Sequence, residues 1–468
     1  MLEALSTKGI SVIISIILAR LLLPENYGIV GITDIIVSFS GIFVQNGINT
    51  SLIRKEKVDD QDYSNAFFFC MAIAAILYSL FFIFAPQIAN FYSEPLVAPV
   101  IRVQMLSLFL YALGTVRSAI ITREFKFKQL CIINLIANVV SGIIGIIIAF
   151  NGGGVWALVI YTLARDGLSA LLLFFAVRWK LIFKVSIYKL KMLISFSIWV
   201  LVATLFDFFG NNIYNMLIGK YYSIADLGYF NKGNQLPQII CLYVFGAITS
   251  VLLPTMSQAQ NDIPRLKRIT KKITRMSVYI IYPMMVGLAV VGERLVPFLF
   301  SEKWIPCVPI FWASCVIYAV NPCRNINIQL LYAKGKPYRV LMIEIIRFTM
   351  LLTGLVIGVK VADLSVNGLA FIRALIAIVN TFITQLFAMR MCDYSAYEWL
   401  KDQFPAFSMS AVMGLVVYLI GLVPIGSRFV VLSIQVVTGV VIYLGLSLIS
   451  KNTEFREIMD VAMSKFTR

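Results

Sequence analysis

Seven basic side chains interrupt otherwise apolar runs of this chain, and their chemistry is the most informative feature of the sequence. They are Arg102, Arg117, Arg165, Lys232, Arg324, Arg347 and Arg373. Four carboxylates share these runs, namely Asp34, Asp166, Asp207 and Glu344. A charge at the centre of a bilayer costs at least about 2.5–3.5 kcal/mol on insertion scales, so such residues usually face a cavity or a partner. The excess of cations predicts a hydrated cavity that receives an anion such as a diphosphate, which Arg and Lys bind through charge-assisted hydrogen bonds.

The position of each cation within its run separates the candidates. Arg165 and Lys232 lie well inside their runs and are the foremost cavity residues. Arg347 follows Glu344 by three residues on one helix face, so an internal salt bridge is the favoured interpretation there. Arg117 lies near the end of its run, where a long basic side chain can instead reach the membrane surface. The predicted anion-binding set is Lys232, Arg165, Arg324, Arg373, Arg347 and Arg117.

A second set of polar residues is a candidate for ion coupling. Asp207, Asn211 and Asn215 recur every four residues and therefore share one helix face. Hard oxygen ligands in such a row can hold Na⁺, and Asp207 can alternatively carry a proton, whereas the competing interpretation is a hydrogen-bonded seam between helices. Asp34 is the further candidate, with pairing to a neighbouring cation as its alternative. We expect no other metal or cofactor.

The composition predicts a helical membrane protein. Hydrophobic residues make up 60% of the 468 residues, charged residues 13%, and the mean hydropathy is +0.88. A soluble domain is about 45–50% apolar and about 25% charged. The apolar runs are continuous rather than alternating, which favours membrane helices over a barrel. Fourteen spans are predicted at 5–23, 27–47, 65–86, 97–121, 130–150, 154–177, 192–219, 226–254, 274–293, 305–332, 338–359, 365–389, 404–423 and 429–450.

The distribution of basic residues predicts the orientation of these spans. The net charge is +17, which in a soluble protein would suggest nucleic acid, but the positive-inside rule explains it here without a nucleic-acid partner. If the N-terminus is cytoplasmic, the inner segments carry 27 cations and the outer segments six. Both termini are therefore predicted to be cytoplasmic. The basic segments 178–191 and 264–275 are predicted to anchor on the anionic leaflet.

An internal repeat predicts how the spans are organised. Ile17–Val30 resembles Leu217–Phe230 at an offset of 200 residues, which pairs Gly28 with Gly228. Six spans separate the copies, so both have the same orientation in the membrane. The fold class is therefore predicted as all-α, with two pseudo-symmetric six-helix lobes and two further C-terminal helices. The predicted domains are residues 1–180, 181–391 and 392–468, the last including a cytoplasmic tail.

Several motifs, taken in order, resemble one transporter family. They are ARLLLPENYGIVGI, GINTSLIRKEKVDDQDYSNAFF, ITREFKFKQL, GGGVWALV, LLPTMSQAQNDIPRLKR and SEKWIPCVPIF. They look like the polysaccharide-transporter branch of the multidrug/oligosaccharidyl-lipid/polysaccharide exporter (MOP) superfamily, in particular Wzx-type lipopolysaccharide or O-antigen flippases. The resemblance implies a V-shaped, two-lobed fold, alternating access and a cationic central cavity. It also implies a place in the bacterial cytoplasmic (inner) membrane.

The resemblance further implies a substrate and partners. The expected substrate is an undecaprenyl-diphosphate-linked sugar repeat unit for O-antigen, capsule or exopolysaccharide assembly. The expected partners are membrane lipids and the polysaccharide polymerase or export machinery. The resemblance also implies transport coupled to Na⁺ or H⁺.

Two other functions compete with this prediction. A multidrug or organic-cation exporter of the same superfamily would need a carboxylate-rich cavity, and the intramembrane excess here is positive. A membrane-embedded glycan polymerase or ligase would need a substantial outer loop with an acid or base. The predicted outer segments are short and the chain has no histidine, the commonest general base, so an enzyme is not expected.

Overall fold

The computed structural model is predominantly helical in the residues that it describes. It describes residues 2–46, 52, 58–177, 179–183, 186, 201, 204–205, 208–423, 428–457 and 459, and no β-strand occurs within these ranges. Eleven helices in this part are long and apolar enough to cross a membrane, and Gly9–Leu21 is a shorter apolar helix. The chain is therefore an all-α, multi-pass membrane protein. The count of fourteen spans stays a prediction.

Contacts divide the chain into two compact units, Met1–Asn231 and Lys232–Arg468. The first unit contains α1 (Leu2–Leu21), α2 (Pro24–Gly41, extended by a π-helical turn at Ile42–Asn46), α3 (Asp60–Tyr92), α4 (Val97–Gln104), α5 (Ser107–Arg123), α6 (Phe127–Phe150), α7 (Val155–Ala176), α8 (208–221) and the first two turns of α9 (Ile224–Gln258). The three predicted domains and the two-lobe arrangement stay predictions.

Small residues and a broken helix shape the interior of the first unit. Gly142 of α6 packs against Ile14 of α1, and Gly145 of α6 packs against Tyr161 of α7. Lipid provides no hydrophobic force between helices, so close packing at small residues replaces it. The predicted span 97–121 is interrupted between α4 and α5, and the last residue of α4, Gln104, is buried inside the unit.

The second unit contains the rest of the chain. After α9 it comprises α10 (Ile263–Phe300), a 3₁₀ turn (Glu302–Cys307), α11 (Val308–Ala333), α12 (Pro337–Val356, extended by a π-helical turn at Ile357–Val361), α13 (Val366–Cys392), α14 (Ala396–Gly421) and α15 (Arg428–Ile449). The helices α14 and α15 correspond to the predicted C-terminal pair. Tyr443 of α15 donates a 2.6 Å hydrogen bond to the Tyr279 carbonyl of α10, and the Tyr279 hydroxyl donates a 2.8 Å bond to Ser447.

The first turns of α10 carry a basic segment whose charges are largely paired within the second unit. Its ion pairs are Lys267–Glu398 (2.7 Å), Lys271–Asp402 (3.3 Å), Lys272–Glu457 (2.6 Å) and Arg275–Glu454 (2.8 Å). They connect α10 to α14 and to the segment after α15. Anchoring of this segment on a membrane surface stays a prediction, and its exposed cations are Arg265, Arg268 and Lys272.

Equivalent positions of the two predicted repeat copies contact each other within the first unit. A Cβ added to Gly28 of α2 would collide with the carbonyl oxygen of Ile224, and one added to Gly228 of α9 would collide with the carbonyl oxygen of Pro24. The two contacts are reciprocal, because residues 24 and 28 correspond to 224 and 228 at the predicted offset. Reciprocal contacts are what a local two-fold relation produces. The α2 and α9 backbones therefore touch where glycine removes both side chains.

We expect Gly28→Ala and Gly228→Ala each to destabilise the protein by about 1–3 kcal/mol, because a methyl group inserted against a backbone carbonyl forces the helices apart. The measurement is the midpoint of thermal unfolding in detergent by intrinsic fluorescence. Gly445→Ala is the matched control, since an added Cβ there meets nothing within 4 Å. That control should be neutral or stabilising because alanine is the better helix former. Equal midpoints for all three variants would show that the crossing tolerates side chains.

Candidate functional site

The first of two polar clusters lies in the first unit around Asp34. Asp34 on α2 accepts a short hydrogen bond from the side-chain amide of Gln104 at the end of α4. The Thr33 hydroxyl donates a 2.5 Å bond to the Gln104 side-chain oxygen. Thr33 and Gln104 are buried, whereas Asp34 itself is exposed. The buried amide therefore fixes a carboxylate that other groups can still reach.

Arg165 and Asp166 on α7 complete this first cluster. The Arg165 Nε and Nη2 donate to Asp166 Oδ1 at 3.1 Å and 3.0 Å. The Tyr111 and Tyr161 hydroxyls contact Asp166 and Arg165, respectively. Both charges of the pair act electrostatically on Asp34. Two carboxylates and one guanidinium thus share one region of the membrane interior, which gives these three groups a formal charge of −1.

The second cluster lies in the second unit and joins three helices. Arg324 of α11 forms an ion pair with Glu344 of α12 and donates a 3.0 Å hydrogen bond to Asn380 of α13. Arg347, one turn after Glu344, donates a 2.7 Å bond to the same carboxylate. The predicted internal salt bridge between Glu344 and Arg347 is therefore confirmed. Two predicted cavity cations share one carboxylate, and their side chains are only 18% exposed.

A polar seam extends this second cluster along α11 and α13. The Asn327 amide donates a 2.9 Å bond to Gln385, whose own amide donates a 3.0 Å bond to the Tyr394 carbonyl. Arg373 lies two turns before Asn380 on α13, and its charge acts on Tyr318 of α11. Arg373 is half-buried.

Lys232 lies in an aromatic cage in the second unit. Its side chain is only 2% exposed, and its Nζ lies 4.5 Å from the Phe300 ring centroid and 5.8 Å from that of Trp304. The face of an aromatic ring attracts a cation electrostatically. The next residue, Gly233, packs against the Cys307 carbonyl. In this structure Lys232 therefore binds α9 to the end of α10 and the following 3₁₀ turn.

The remaining predicted residues are dispersed. Arg117 is buried beside the Phe174 ring and makes no described contact with either cluster. Asn211 is exposed and Asn215 is half-buried on α8, whereas Asp207 lies outside the described residues. The proposed row of oxygen ligands therefore stays a prediction. Within the described ranges, no three His, Cys, Asp or Glu side chains come together as a metal site.

The sequence predictions omitted the amides that hold both clusters. Gln104 fixes Asp34, and Asn380 fixes Arg324. Each is a polar residue inside an apolar run, which is the signal that could have identified it. Neutral amides do not enter a count of charged residues, yet inside a membrane they also need a hydrogen-bond partner. The structure brings Asp34, Arg165 and Asp166 together and groups Arg324 with Arg347.

Comparison with known proteins identifies relatives along most of the chain. Residues 17–309 match a family described as polysaccharide biosynthesis protein. The succinoglycan biosynthesis transport protein ExoT of Rhizobium meliloti is 25% identical over 69% of this chain and 66% of ExoT, just under two thirds of that protein. The teichuronic acid biosynthesis protein TuaB of Bacillus subtilis is 23% identical over 81% of this chain and 79% of TuaB. The lipopolysaccharide biosynthesis protein WzxC of Escherichia coli is 21% identical over 89% of this chain and 85% of WzxC.

Two solved structures share the fold. The lipid II flippase MurJ, in an inward closed conformation, superimposes with a TM-score of 0.78 and 15% identity over 98% of this chain and 99% of MurJ. An inward-facing multidrug resistance transporter of the MATE family, in the MOP superfamily, gives a TM-score of 0.63 and 17% identity over 82% of this chain and 94% of its own. The resemblance seen in the sequence motifs is confirmed.

We expect Glu344→Gln to destabilise the protein by about 1–3 kcal/mol, because two half-buried guanidinium groups lose their shared carboxylate. The matched control is Glu302→Gln, which breaks the exposed 2.9 Å pair with Arg428 and should cost at most about 1 kcal/mol. Thermal unfolding midpoints of both variants in the same detergent provide the comparison. A Glu344→Gln midpoint no lower than that of the control would show that Glu344 is dispensable for the cluster.

Proposed function

Because the chain belongs to the polysaccharide biosynthesis protein family, we propose that it is a flippase for undecaprenyl-diphosphate-linked oligosaccharide repeat units. The proposal places it in the bacterial cytoplasmic membrane with both termini cytoplasmic. The product is used for O-antigen, capsule or exopolysaccharide assembly, where a polymerase or export machinery consumes it. The observation that most supports this proposal is the family match over residues 17–309, in a chain whose fold is similar to that of the lipid II flippase MurJ.

Drug export is the second function that this fold can support. The likeness to the multidrug transporter concerns the fold alone, since 17% identity carries no substrate. The charged residues argue against a cationic drug as substrate, because the predicted spans contain seven basic residues and only four carboxylates. A glycan carried on a diphosphate accounts for this excess, and a cationic drug does not.

We assign the diphosphate first to Arg165. Its side chain is 38% exposed, compared with 18% for Arg324 and Arg347. Both of its described hydrogen bonds to Asp166 use the Nε and Nη2 edge of the guanidinium. A guanidinium has five N–H donors in a planar fork, so its Nη1 edge is suited to a phosphate oxygen. Arg324, Arg347, Arg373 and Lys232 remain further candidates, and Lys232 would first have to leave its aromatic cage.

The same cluster supports ion coupling through Asp34 and Asp166. With its formal charge of −1, it attracts a cation, either Na⁺ or a proton. A cation that neutralises Asp166 weakens the hold of that carboxylate on Arg165 and makes the guanidinium available to the diphosphate. Cation and substrate then favour each other's binding, and linkage requires this coupling to be reciprocal.

Transport follows when the loaded state changes the preferred conformation. In the proposed cycle, residues 1–180 rock against residues 181–391 and expose the diphosphate and sugars to the other side, while the polyprenyl tail stays in lipid. A ligand shifts such an equilibrium only through its different affinities for the two states. The release of Arg165 from Asp166 is the proposed source of that difference.

We expect Arg165→Gln to reduce the initial rate of flipping about 10–100-fold, because it removes charge-assisted hydrogen bonds to the diphosphate. The protein is reconstituted in liposomes with a fluorescent polyprenyl-diphosphate oligosaccharide, and a membrane-impermeant quencher reports which leaflet holds the label. Lys232→Gln tests the second predicted cation. Arg102→Gln is the control, because that side chain lies near a span end over the Phe82 ring.

The outcomes of this assay separate function from site. Flipping by the wild type that persists in both Arg165→Gln and Lys232→Gln would keep the function and reject these two residues. Absence of flipping in folded wild type with several glycans and imposed ion gradients would reject the flippase and favour drug export. A slow Arg102→Gln variant would show that any lost charge slows transport.

We expect Asp34→Asn to bring the ratio of gradient-driven to gradient-free flipping close to one, because the cation site loses half its carboxylate charge. The ratio is measured with an imposed Na⁺ gradient and, separately, with a pH gradient, which identifies the coupling ion. Asp393→Asn is the matched control, since Asp393 is exposed after α13 with a φ of 51°, a conformation that asparagine also adopts. A ratio in Asp34→Asn equal to that of wild type would exclude Asp34 from coupling.

A further inference from the structure

Arg117 is a buried cation without a carboxylate partner among the described residues. Its side chain on α5 is 8% exposed, and its Nη1 donates a 2.8 Å hydrogen bond to the Leu113 carbonyl one turn earlier. The guanidinium carbon lies 4.6 Å from the Phe174 ring centroid of α7. The Nε is buried and has no hydrogen-bond partner in the part of the chain that the structure describes. The cation thus has a strong donor that is not used.

Trp179 places a second unused donor beside the first. Its ring centroid lies 6.0 Å from the Arg117 guanidinium carbon, and its indole Nε1 is also buried without a partner among the described residues. Trp179 follows α7 and is held by edge-on contacts with Tyr63 and Phe67 of α3. The segment that carries it is tied to α3, because the Ile182 amide donates a 2.9 Å bond to the Ser64 hydroxyl. This placement of Trp179 is therefore ordered by its neighbours.

Two neighbouring buried donors predict an acceptor. A buried donor that lacks a partner costs free energy, and a buried charge costs more unless it is paired. An anion with several oxygens would satisfy both donors and the charge at once. The Arg117 site differs in this respect from Arg165, Arg324 and Arg347, each of which has a carboxylate.

The position of Arg117 and Trp179 relative to the helix ends restricts the class of anion that could bind there. Arg117 lies six residues before the end of α5 at Arg123, about 9 Å at 1.5 Å per residue. Phe174 lies two residues before the end of α7, and Tyr63 is in the first turn of α3. Three candidate membrane spans therefore end around this pair of donors. Membrane spans end near the bilayer interface, where lipid phosphates lie.

We propose that Arg117 and Trp179 bind the phosphate group of a membrane lipid at this surface of the first unit. Phe174 acts as a cover, because its ring stacks on the guanidinium while 54% of the residue is exposed. Rotation of that exposed ring into lipid uncovers the Arg117 guanidinium without unfolding a helix. The ligand class is a lipid phosphate, carried either by an anionic phospholipid or by a polyprenyl diphosphate. Only the second source rests on the proposed function.

Arg102 supplies a close control within the same unit. Its guanidinium carbon also lies 4.6 Å from a phenylalanine ring centroid, that of Phe82, and it lies near the opposite end of the same predicted span. Its Nε, however, donates a 3.4 Å hydrogen bond to the Phe82 carbonyl. Both arginines contact a phenylalanine ring, but only the Arg117 Nε lacks a hydrogen-bond acceptor among the described residues.

The test is native mass spectrometry of the purified full chain after delipidation, titrated with three probes. These are dioctanoyl phosphatidylglycerol, farnesyl diphosphate and dioctanoylglycerol, which has no phosphate. We expect Arg117→Gln to weaken at least one phosphate-bearing probe by at least tenfold and to leave dioctanoylglycerol unchanged. Trp179→Phe keeps a ring and removes the N–H donor, so it should weaken the same probe about two- to tenfold. Arg102→Gln should match the wild type.

Each result decides the proposal. A selective effect on phosphatidylglycerol identifies a phospholipid site, and a selective effect on farnesyl diphosphate identifies a site for the lipid-linked substrate. Equal affinities in wild type and Arg117→Gln, or an equal loss for dioctanoylglycerol, would overturn the site. If Arg117→Gln does not fold, Trp179→Phe decides alone, and binding like wild type in that variant refutes the two-donor geometry. No transport is measured, so failure of the flippase proposal would appear separately.

Discussion

The free-energy cost of placing unpaired charges and peptide groups in a bilayer is the constraint on which the structure of this protein depends. Backbone amides in lipid must be paired internally, and the candidate membrane spans meet this requirement as helices. Charged side chains obey the same constraint in three different ways. Arg165 binds an adjacent aspartate, and Arg324 and Arg347 share Glu344. Lys232 lies beside the Phe300 and Trp304 rings. The Glu344 network and the Lys232 contacts join different helices, so these proposed functional groups also stabilise the fold.

The crossing of α2 and α9 shows how helices associate without a hydrophobic driving force. Gly28 and Gly228 remove both side chains, so each helix contacts a backbone carbonyl of the other. A contact of this kind has little room for adjustment, because protein interiors are close-packed and an added methyl group is felt. It is therefore suited to a transporter that moves between discrete arrangements rather than deforming continuously.

Each of the two units contains one polar cluster, and the two clusters differ in their balance of charges. In the cluster of the first unit, Asp34 and Asp166 outnumber the single Arg165 guanidinium, which suits the proposed coupling cation. In the second unit, Glu344 and Asn380 hold Arg324 in a network that joins three helices. The helices α14 and α15 pack on α10 through Tyr279, Met409, Met413 and Tyr443. Ion pairs at the start of α10 strengthen the same attachment.

The sequence by itself determined the helical membrane class and the family, and it aligned Gly28 with Gly228, whereas the contact between these glycines was revealed by the structure. Long apolar runs, motif order and repeat offset are properties of the linear chain, so they needed no coordinates. The salt bridge of Glu344 and Arg347 was also accessible, because residues three apart on a helix must be neighbours. Only the tertiary structure decided that Gln104 fixes Asp34, that Lys232 lies among aromatic rings, and that Arg324 shares the Glu344 carboxylate. These partners lie on different helices, and their meeting depends on helix rotation and depth, which local periodicity does not specify.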